Sequence, residues 1–300
     1  MITVTTIAEV RAHTDAARAA GGRVGFVPTM GYFHEGHRSL MRAARAANDL
    51  VVVSLFVNPA QFGPDEDLTT YPRDPEGDAA AAESEGVDVL FMPSVDEMYP
   101  AGARTTVHVE GLTSGLCGAS RPTHFDGVTT VVAKLFSIVG ASRAYFGRKD
   151  AQQLAVVRRM ATDLDLPVTV VGCPLVREPD GLAMSSRNAR LSAAERASAT
   201  VLSRALHAAG EAVLAGAVDA EGLRTILCDT VATEPSIRLD YAELVDARTL
   251  EPVDTVAAET LVALAAFAGR TRLIDNVTID PETSFVDFGV TMSAVDQESP

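Results

Sequence analysis

Two of the chain's six histidines, His34 and His37, stand three residues apart in VPTMGYFHEGHRSL, residues 27–40, with Gly36 between them. An apolar run enters this stretch and an amphipathic one leaves it. The pair therefore belongs at a turn into a helix that begins around Glu35 and Gly36. Residues at i and i+3 of a helix share a side. The first-turn N–H groups lack helical partners, and such an end favours anions, phosphate above all. Gly31 suits a backbone conformation closed to other residues, and Gly36 leaves room for a ligand to approach the main chain. Beside phosphate, imidazolium forms would supply donors and positive charge where a phosphoryl transition state gathers negative charge. The same pair could hold a metal, although no third ligand is evident, or could be structural.

Four further stretches carry polar groups able to act on a ligand. In GRKDAQQL, residues 147–154, Lys149 can hold a phosphate as a point charge, and Asp150 can cap a helix or touch the ligand. Gln153 falls one turn into that helix, and Gln152 reads as an exposed helix residue. In GLAMSSRN, residues 181–188, Ser185, Ser186 and Arg187 form a cluster of phosphate donors or the start of a helix. The stretch FVNPAQFGPDEDLTTYPRDPEGD, from Phe56, offers Asn58, Gln61 and Tyr71 as neutral groups to orient a small polar substrate. Met30, Phe56 and Phe62 could wall that substrate from water, while Asp65, Glu66 and Asp67 read as solvated loop charges. In GASRPTHFDGV, residues 118–128, His124 either touches a ligand or pins its own loop.

The elements that must position these groups alternate between helix and strand. TTIAEVRAHTDAARAAGG reads as a helix with a threonine cap, stopped by Gly21 and Gly22. RVGFV is a short buried strand that Pro28 should end, and LVVVSLFV is continuously apolar and β-branched, as suits a central parallel strand. Further alternation follows through PVTVVGC, which implies a parallel α/β sheet with ligands bound beyond the carboxyl ends of its strands. Near Val176 the character changes. A polar loop leads to two alanine-rich helices, residues 193–215 and 221–233, and then to three strand-like runs, IRLDYAELVDA, TLVALAAFA and TRLIDNVTI. We expect an α/β domain over residues 1–175 and a smaller α+β domain over 176–300, with a mobile tail after about 284.

The composition, 47% hydrophobic and 22% charged over 300 residues, fits a soluble globular protein with a sizeable core. A formal charge of −15 argues against nucleic acid or an anionic membrane as partner, though a local basic cluster could still take an anionic small molecule. No apolar run reaches the length of a membrane span, and the N-terminus lacks the pattern of a signal peptide. Cys117, Cys173 and Cys228 are odd in number and far apart, which favours reduced thiols in the cytoplasm over disulfides or a zinc site.

Together PTMGYFHEGH, FVNPAQF, YPRDPEGD, RPTHFDGV, FGRKDAQQL, VREPDGLAMSSRN and TRLIDNV, in this order over residues 24–280, resemble the pantoate–β-alanine ligase family. The resemblance implies a homodimer, each chain with a Rossmann-like N-terminal domain of the HxGH nucleotidyltransferase type and a smaller C-terminal lid. It implies ATP-dependent condensation of (R)-pantoate with β-alanine through pantoyl adenylate. By position it assigns ATP contacts to Met30, Gly31, Tyr32, Phe33, His34, Glu35, Gly36, His37, Gly147, Arg148, Lys149, Asp150, Val176, Met184, Ser185, Ser186 and Arg187. His37 matches the proton donor. Gln61 matches a contact to both pantoate and β-alanine, and Gln153 a pantoate contact. Asp78 matches an acid near the phosphates and Mg²⁺, the implied metal, which would be carried mainly by ATP. Arg148 stands where the family carries an acid, Gly77 where another acid is common, Ala151 where an aromatic is usual, and Cys117 where some members carry glutamate. Two other readings remain open: a different HxGH nucleotidyltransferase that adenylates a cofactor precursor, and a non-catalytic metal-binding protein that uses the two histidines.

Overall fold

The computed structural model describes residues 1–64 and 66–293; Asp65, expected as a solvated loop charge, lies outside the described residues. The chain divides into two compact units. Unit 1 comprises Met1–Ser114, Gly118–Arg148 and Gln153–Cys173. Unit 2 comprises Gly115–Cys117, Lys149–Gln152 and the chain from Pro174 onward.

Unit 1 is built on six parallel strands: β1 (Ile2–Val4), β2 (Val24–Thr29), β3 (Leu50–Leu55), β4 (Val89–Phe91), β5 (Ser142–Gly147) and β6 (Val168–Cys173). Their order is β1-β4-β3-β2-β5-β6. Helices α1 (Ile7–Ala19), α2 (Glu35–Ala47), α3 (Pro75–Ser84), the short α4 (Val95–Met98) and α5 (Cys117–Ser120), α6 (His124–Val139) and α7 (Ala151–Asp163) connect them. The strand order reverses where β2 lies beside β5, and in such sheets the ligand site gathers beyond the carboxyl ends at that point. Continuous apolar strands follow from cover on both faces: Val51, Val52 and Val53 of β3 are all fully buried.

Local signals account for the element ends. Thr6 caps α1, its hydroxyl accepting from the Glu9 amide while the Glu9 carboxylate accepts from the Thr6 amide, a reciprocal capping box. Gly21, at φ +80°, follows the end of that helix. Pro28 does not end β2, which continues to Thr29 in register with β3. Pairing to β5 stops at Phe26, whereas the Thr29 carbonyl accepts from Phe56 on the β3 side. Alternation then turns Pro28 toward the side where pairing has ceased, so its missing N–H leaves no gap in the ladder.

Unit 2 holds α8 (Ala193–Ala199), α9 (Val201–Leu214) and α10 (Ala220–Ala232), a two-stranded pair of β7 (Val176–Arg177) with β12 (Val290–Thr291), and a four-stranded antiparallel sheet. That sheet runs β11-β10-β9-β8, from β8 (Ile237–Asp246), β9 (Thr260–Ala268), β10 (Thr271–Asp280) and β11 (Phe285–Asp287). Leu202 and Leu206 of α9 and Leu223 and Leu227 of α10 bury against Leu244, Val262, Leu264 and Val277 of the sheet. The helix expected over residues 193–215 is two helices, broken at Thr200, whose hydroxyl donates to the Ala197 carbonyl at 2.7 Å. The segment expected to be mobile after about 284 contributes β11 and β12, which take up hydrogen bonds at the free edges of β10 and β7. Residues 294–300 of that tail lie outside the described residues.

Candidate active site

The chain leaves β2 at Thr29 through a tight loop into α2. Gly31 has φ +88° and Tyr32 has φ +55°, two successive residues in the left-handed region. A side chain at Gly31 would also place its Cβ 2.8 Å from Asp78 Oδ2. Such a loop needs support, and the buried Asp78 of α3 supplies it: Oδ2 accepts from the Tyr32 amide at 2.7 Å and Oδ1 from the Phe33 amide at 2.6 Å. Burial raises the Asp78 carboxyl above its ordinary value, although the Phe33 and Tyr32 amides pull the other way.

His34 is the N-cap of α2. Its Nδ1 accepts from the Gly36 amide at 3.1 Å, and His37 Nδ1 accepts from the His34 amide at 3.4 Å. This is a capping box made of two imidazoles, with ring centroids 4.1 Å apart. One first-turn N–H expected to be open to a ligand, that of Gly36, is therefore taken by His34. The amides can only donate, so each Nδ1 keeps its lone pair and each neutral ring carries its proton on Nε2. Gly36 has a reason not visible in the sequence: a Cβ there would lie 2.9 Å from both Cε1 and Nδ1 of His34. Glu35 pairs with Arg42 on the same helix, while Phe33 packs on His37 at 5.5 Å between ring centroids.

Gln61 ends a 3-10 turn, Pro59–Gln61, that follows β3. It is buried, with Nε2 2.9 Å from Met30 Sδ. Asn58, expected to face a substrate, instead uses its whole amide internally. Its Nδ2 donates to Gln61 Oε1 and the Gly127 carbonyl, and its Oδ1 accepts from the Ala60 amide and the Tyr99 hydroxyl. Burial, partly offset by that Asn58 bond, pushes the Tyr99 phenol up to about 12. Arg121 Nη2 and His124 Nδ1 both bind the Gln61 carbonyl, at 3.3 and 2.9 Å, so His124 pins the loop. Glu66 is not a solvated charge: it forms a two-pronged pair with Arg121. Tyr71 is buried edge-on to Phe62. Gly127 of α6 sits against this turn so closely that a Cβ would come within 2.2 Å of the Ala60 carbonyl oxygen. Gly147, Arg148 and Gln153 also belong to unit 1, each partly buried.

The other expected ATP contacts fall in unit 2. Lys149 Nζ lies 3.7 Å from Asp150 Oδ2. Gln152, expected to be exposed, is buried: Oε1 accepts from the Cys117 amide and Nε2 donates to the Gly115 carbonyl, each at 2.9 Å. Its partners lie more than 30 residues upstream, beyond the reach of helical periodicity. Val176 and Met184 face each other across a hairpin, the Met184 amide donating to the Val176 carbonyl at 2.9 Å. Gly181, at φ +88°, makes its turn. Ser185 Oγ accepts from the Arg187 amide at 3.3 Å and caps the 3-10 turn Ser186–Arg190, so this stretch is both a hydroxyl-rich loop and a helix start. Ser186 is largely buried; Ser185 and Arg187 are partly exposed.

Among the described residues no group of three or more His, Cys, Asp or Glu side chains is disposed to hold a metal ion. Each Asp78 oxygen accepts from one backbone amide and keeps a second lone pair that could face a cation. No described helix is long and apolar enough to cross a membrane. Cys117, Cys173 and Cys228 are free thiols.

The family model described as pantoate-beta-alanine ligase matches residues 2–278. A pantothenate synthetase of Heliobacterium modesticaldum is 58% identical over 277 residues, covering 92% of this chain and 99% of that protein. That of Acetivibrio thermocellus is 53% identical over 280 residues, covering 93% and 100%. Among solved structures, pantothenate synthetase from Thermus thermophilus superposes with a TM-score of 0.87 at 50% identity, covering 92% of this chain and 98% of that one. Pantoate-beta-alanine ligase from Francisella tularensis, complexed with beta-gamma ATP and beta-alanine, gives 0.75 at 32% identity, covering 94% and 98%. With a family model spanning nine-tenths of its length and relatives above half identity, the chain belongs to the pantoate-beta-alanine ligase family.

Proposed function

We propose that this chain performs the family's reaction, ATP-dependent condensation of (R)-pantoate with β-alanine, with the residues named above in the following roles. The observation that carries the assignment is the imidazole pair at the start of α2, where the strand order reverses. In the first step a pantoate carboxylate oxygen attacks the α-phosphorus of ATP. The bond to pyrophosphate breaks and pantoyl adenylate forms. A phosphoryl transition state of this kind needs charge neutralisation more than covalent help. His37, as proton donor, and His34 offer Nε2–H to phosphate oxygens, and Lys149, Ser185, Ser186 and Arg187 add donors and positive charge. Main-chain and side-chain groups of Met30, Gly31, Tyr32, Phe33, Glu35, Gly36, Gly147, Arg148, Asp150, Val176 and Met184 complete the ATP contacts. Mg²⁺ enters as part of the nucleotide substrate and rests on its phosphate oxygens, as a cation that keeps several waters would.

In the second step the neutral amine of β-alanine attacks the acyl carbon, the acyl–oxygen bond breaks, AMP leaves, and the amine proton passes to solvent. Holding the amine close is the main requirement, since AMP is a good leaving group. Gln61, fixed through Asn58, Arg121 and His124, orients pantoate and β-alanine, and Gln153 contacts pantoate. We further read the protein as a homodimer, as the family resemblance implies, and as cytoplasmic, in keeping with its three free thiols.

The test is an AMP-release assay with each substrate omitted in turn. AMP and pyrophosphate should form only with pantoate present, and pantothenate only after β-alanine is added. His37→Ala should lower the adenylation rate by about 10²-fold or more without loss of folded protein. Near-normal turnover by that variant would overturn the role given to His37.

A further inference from the structure

One sequence block, TRLIDNV at residues 271–277, has no role in the reaction as described, yet its adjacent polar residues Asp275 and Asn276 are buried in unit 2. We propose that Asp275 and Asn276 of β10, with Arg177, are positioning residues that join the two ATP-contact segments of unit 2 into one clamp. This rests on the reading that Lys149 and the loop 184–187 contact ATP.

Asn276 Nδ2 donates to the Lys149 carbonyl at 2.8 Å and so fixes the main chain from which the lysine side chain springs. Asp275 Oδ1 accepts from the Asn276 amide at 2.7 Å and from Arg177 Nη2 at 2.9 Å, while Oδ2 accepts from Arg177 Nη1 at 2.7 Å. Arg177 Nη1 also donates to the Gly181 carbonyl, Nη2 to the Asn276 carbonyl and Nε to the Phe288 carbonyl, at 3.1, 3.3 and 2.6 Å. A guanidinium has five N–H donors, and these bonds employ all five. Arg177 therefore has no donor left for a phosphate although it follows Val176 directly. Its work is to hold the hairpin in which Val176 pairs with Met184, and whose Gly181 turn it grips. Asn276, Asp275, Lys149 and Asp150 also border one small cavity of about 30 Å³, so the lysine segment and β10 meet at a single place. A network with every member bonded is rigid, and rigidity in the groups around a charge-stabilising side chain is what keeps it aimed.

The test is a double-mutant cycle in the full chain, read by calorimetric titration with the magnesium complex of the β,γ-methylene analogue of ATP. Asn276→Ala and, as a second variant, Asn276→Ser should each weaken the analogue by about tenfold, the scale of one lost positioning bond. The KM for pantoate should stay within about twofold. In a Lys149→Ala background, where no lysine remains to be aimed, the same changes should weaken it by less than about twofold. Undiminished affinity in both Asn276 variants, or an equal loss in both backgrounds, overturns the inference while leaving ATP binding in place. Failure of the unmutated chain to bind the analogue, or of Lys149→Ala to weaken it, overturns the reading of Lys149 and this inference with it.

Discussion

At the scale of single residues, the HxGH stretch works through its ring nitrogens as much as through its charge. Each Nδ1 is engaged by a backbone amide, so the geometry that brings the rings within 4.1 Å of each other also selects which nitrogen faces chemistry. The glycine between the histidines belongs to the same device. Gly36→Ala should push the His34 ring off its cap, because the new methyl would stand 2.9 Å from two ring atoms. We expect kcat/KM for ATP to fall by about tenfold to a hundredfold, with the thermal midpoint moving by only a few degrees. Steady-state kinetics beside a melting curve checks this. The histidine spacing was legible in the sequence because residues at i and i+3 must share a side. The cap itself was not, since histidine is not a usual N-cap and nothing in composition marks it as one.

At the scale of elements, the strands and helices of unit 1 were legible wherever a local rule set them: the threonine cap of α1, the apolar run of β3, the glycine after α1. What escaped was contact between distant elements. Glu66 lies in a stretch dense with acids and reads as solvated, yet Arg121, 55 residues later, meets it with two nitrogens. Gln152 and Asn58 were misread for the same reason. The Glu66–Arg121 link makes a pH prediction. Burial raises the Glu66 pKa, but the hydrogen bonds and charge of Arg121 outweigh it and the net shift is downward. A depressed carboxylate stabilises the fold above its ordinary pKa, and that contribution is lost as pH falls through the folded value. Glu66→Gln should therefore destabilise the fold at pH 7 by about 1 kcal/mol, read as a lower urea midpoint, for a pair only partly buried, and the gap from the parent should close below the usual glutamate range of about 4.3. Parallel urea titrations at pH 7 and pH 3 measure it.

At the scale of the whole molecule, the change of character near Val176 was legible as a shift from alternating strands and helices to helices followed by strands, while the two compact units interleave along the chain. Nothing local announced that Gly115–Cys117 and Lys149–Gln152 are members of unit 2, because membership depends on partners such as Asn276 that come more than a hundred residues later. Unit 2 also carries the molecule's most enclosed ion pair among the described residues: Arg177 and Asp275 are 1% and 2% exposed. Arg177→Met would strand a buried carboxylate and should destabilise the chain by about 3–5 kcal/mol, whereas adding Asp275→Leu should recover a large part of that loss. Denaturant melts of the single and double variants decide it. The interleaved membership has a practical consequence for anyone who would recombine such enzymes. A hybrid spliced at residue 174 from two parents inherits from the first parent two short inserts, Gly115–Cys117 and Lys149–Gln152, on which the second parent's half depends. Its carboxy-terminal half would then have to accept a foreign lysine segment, and compatible crossovers must exchange those inserts as well.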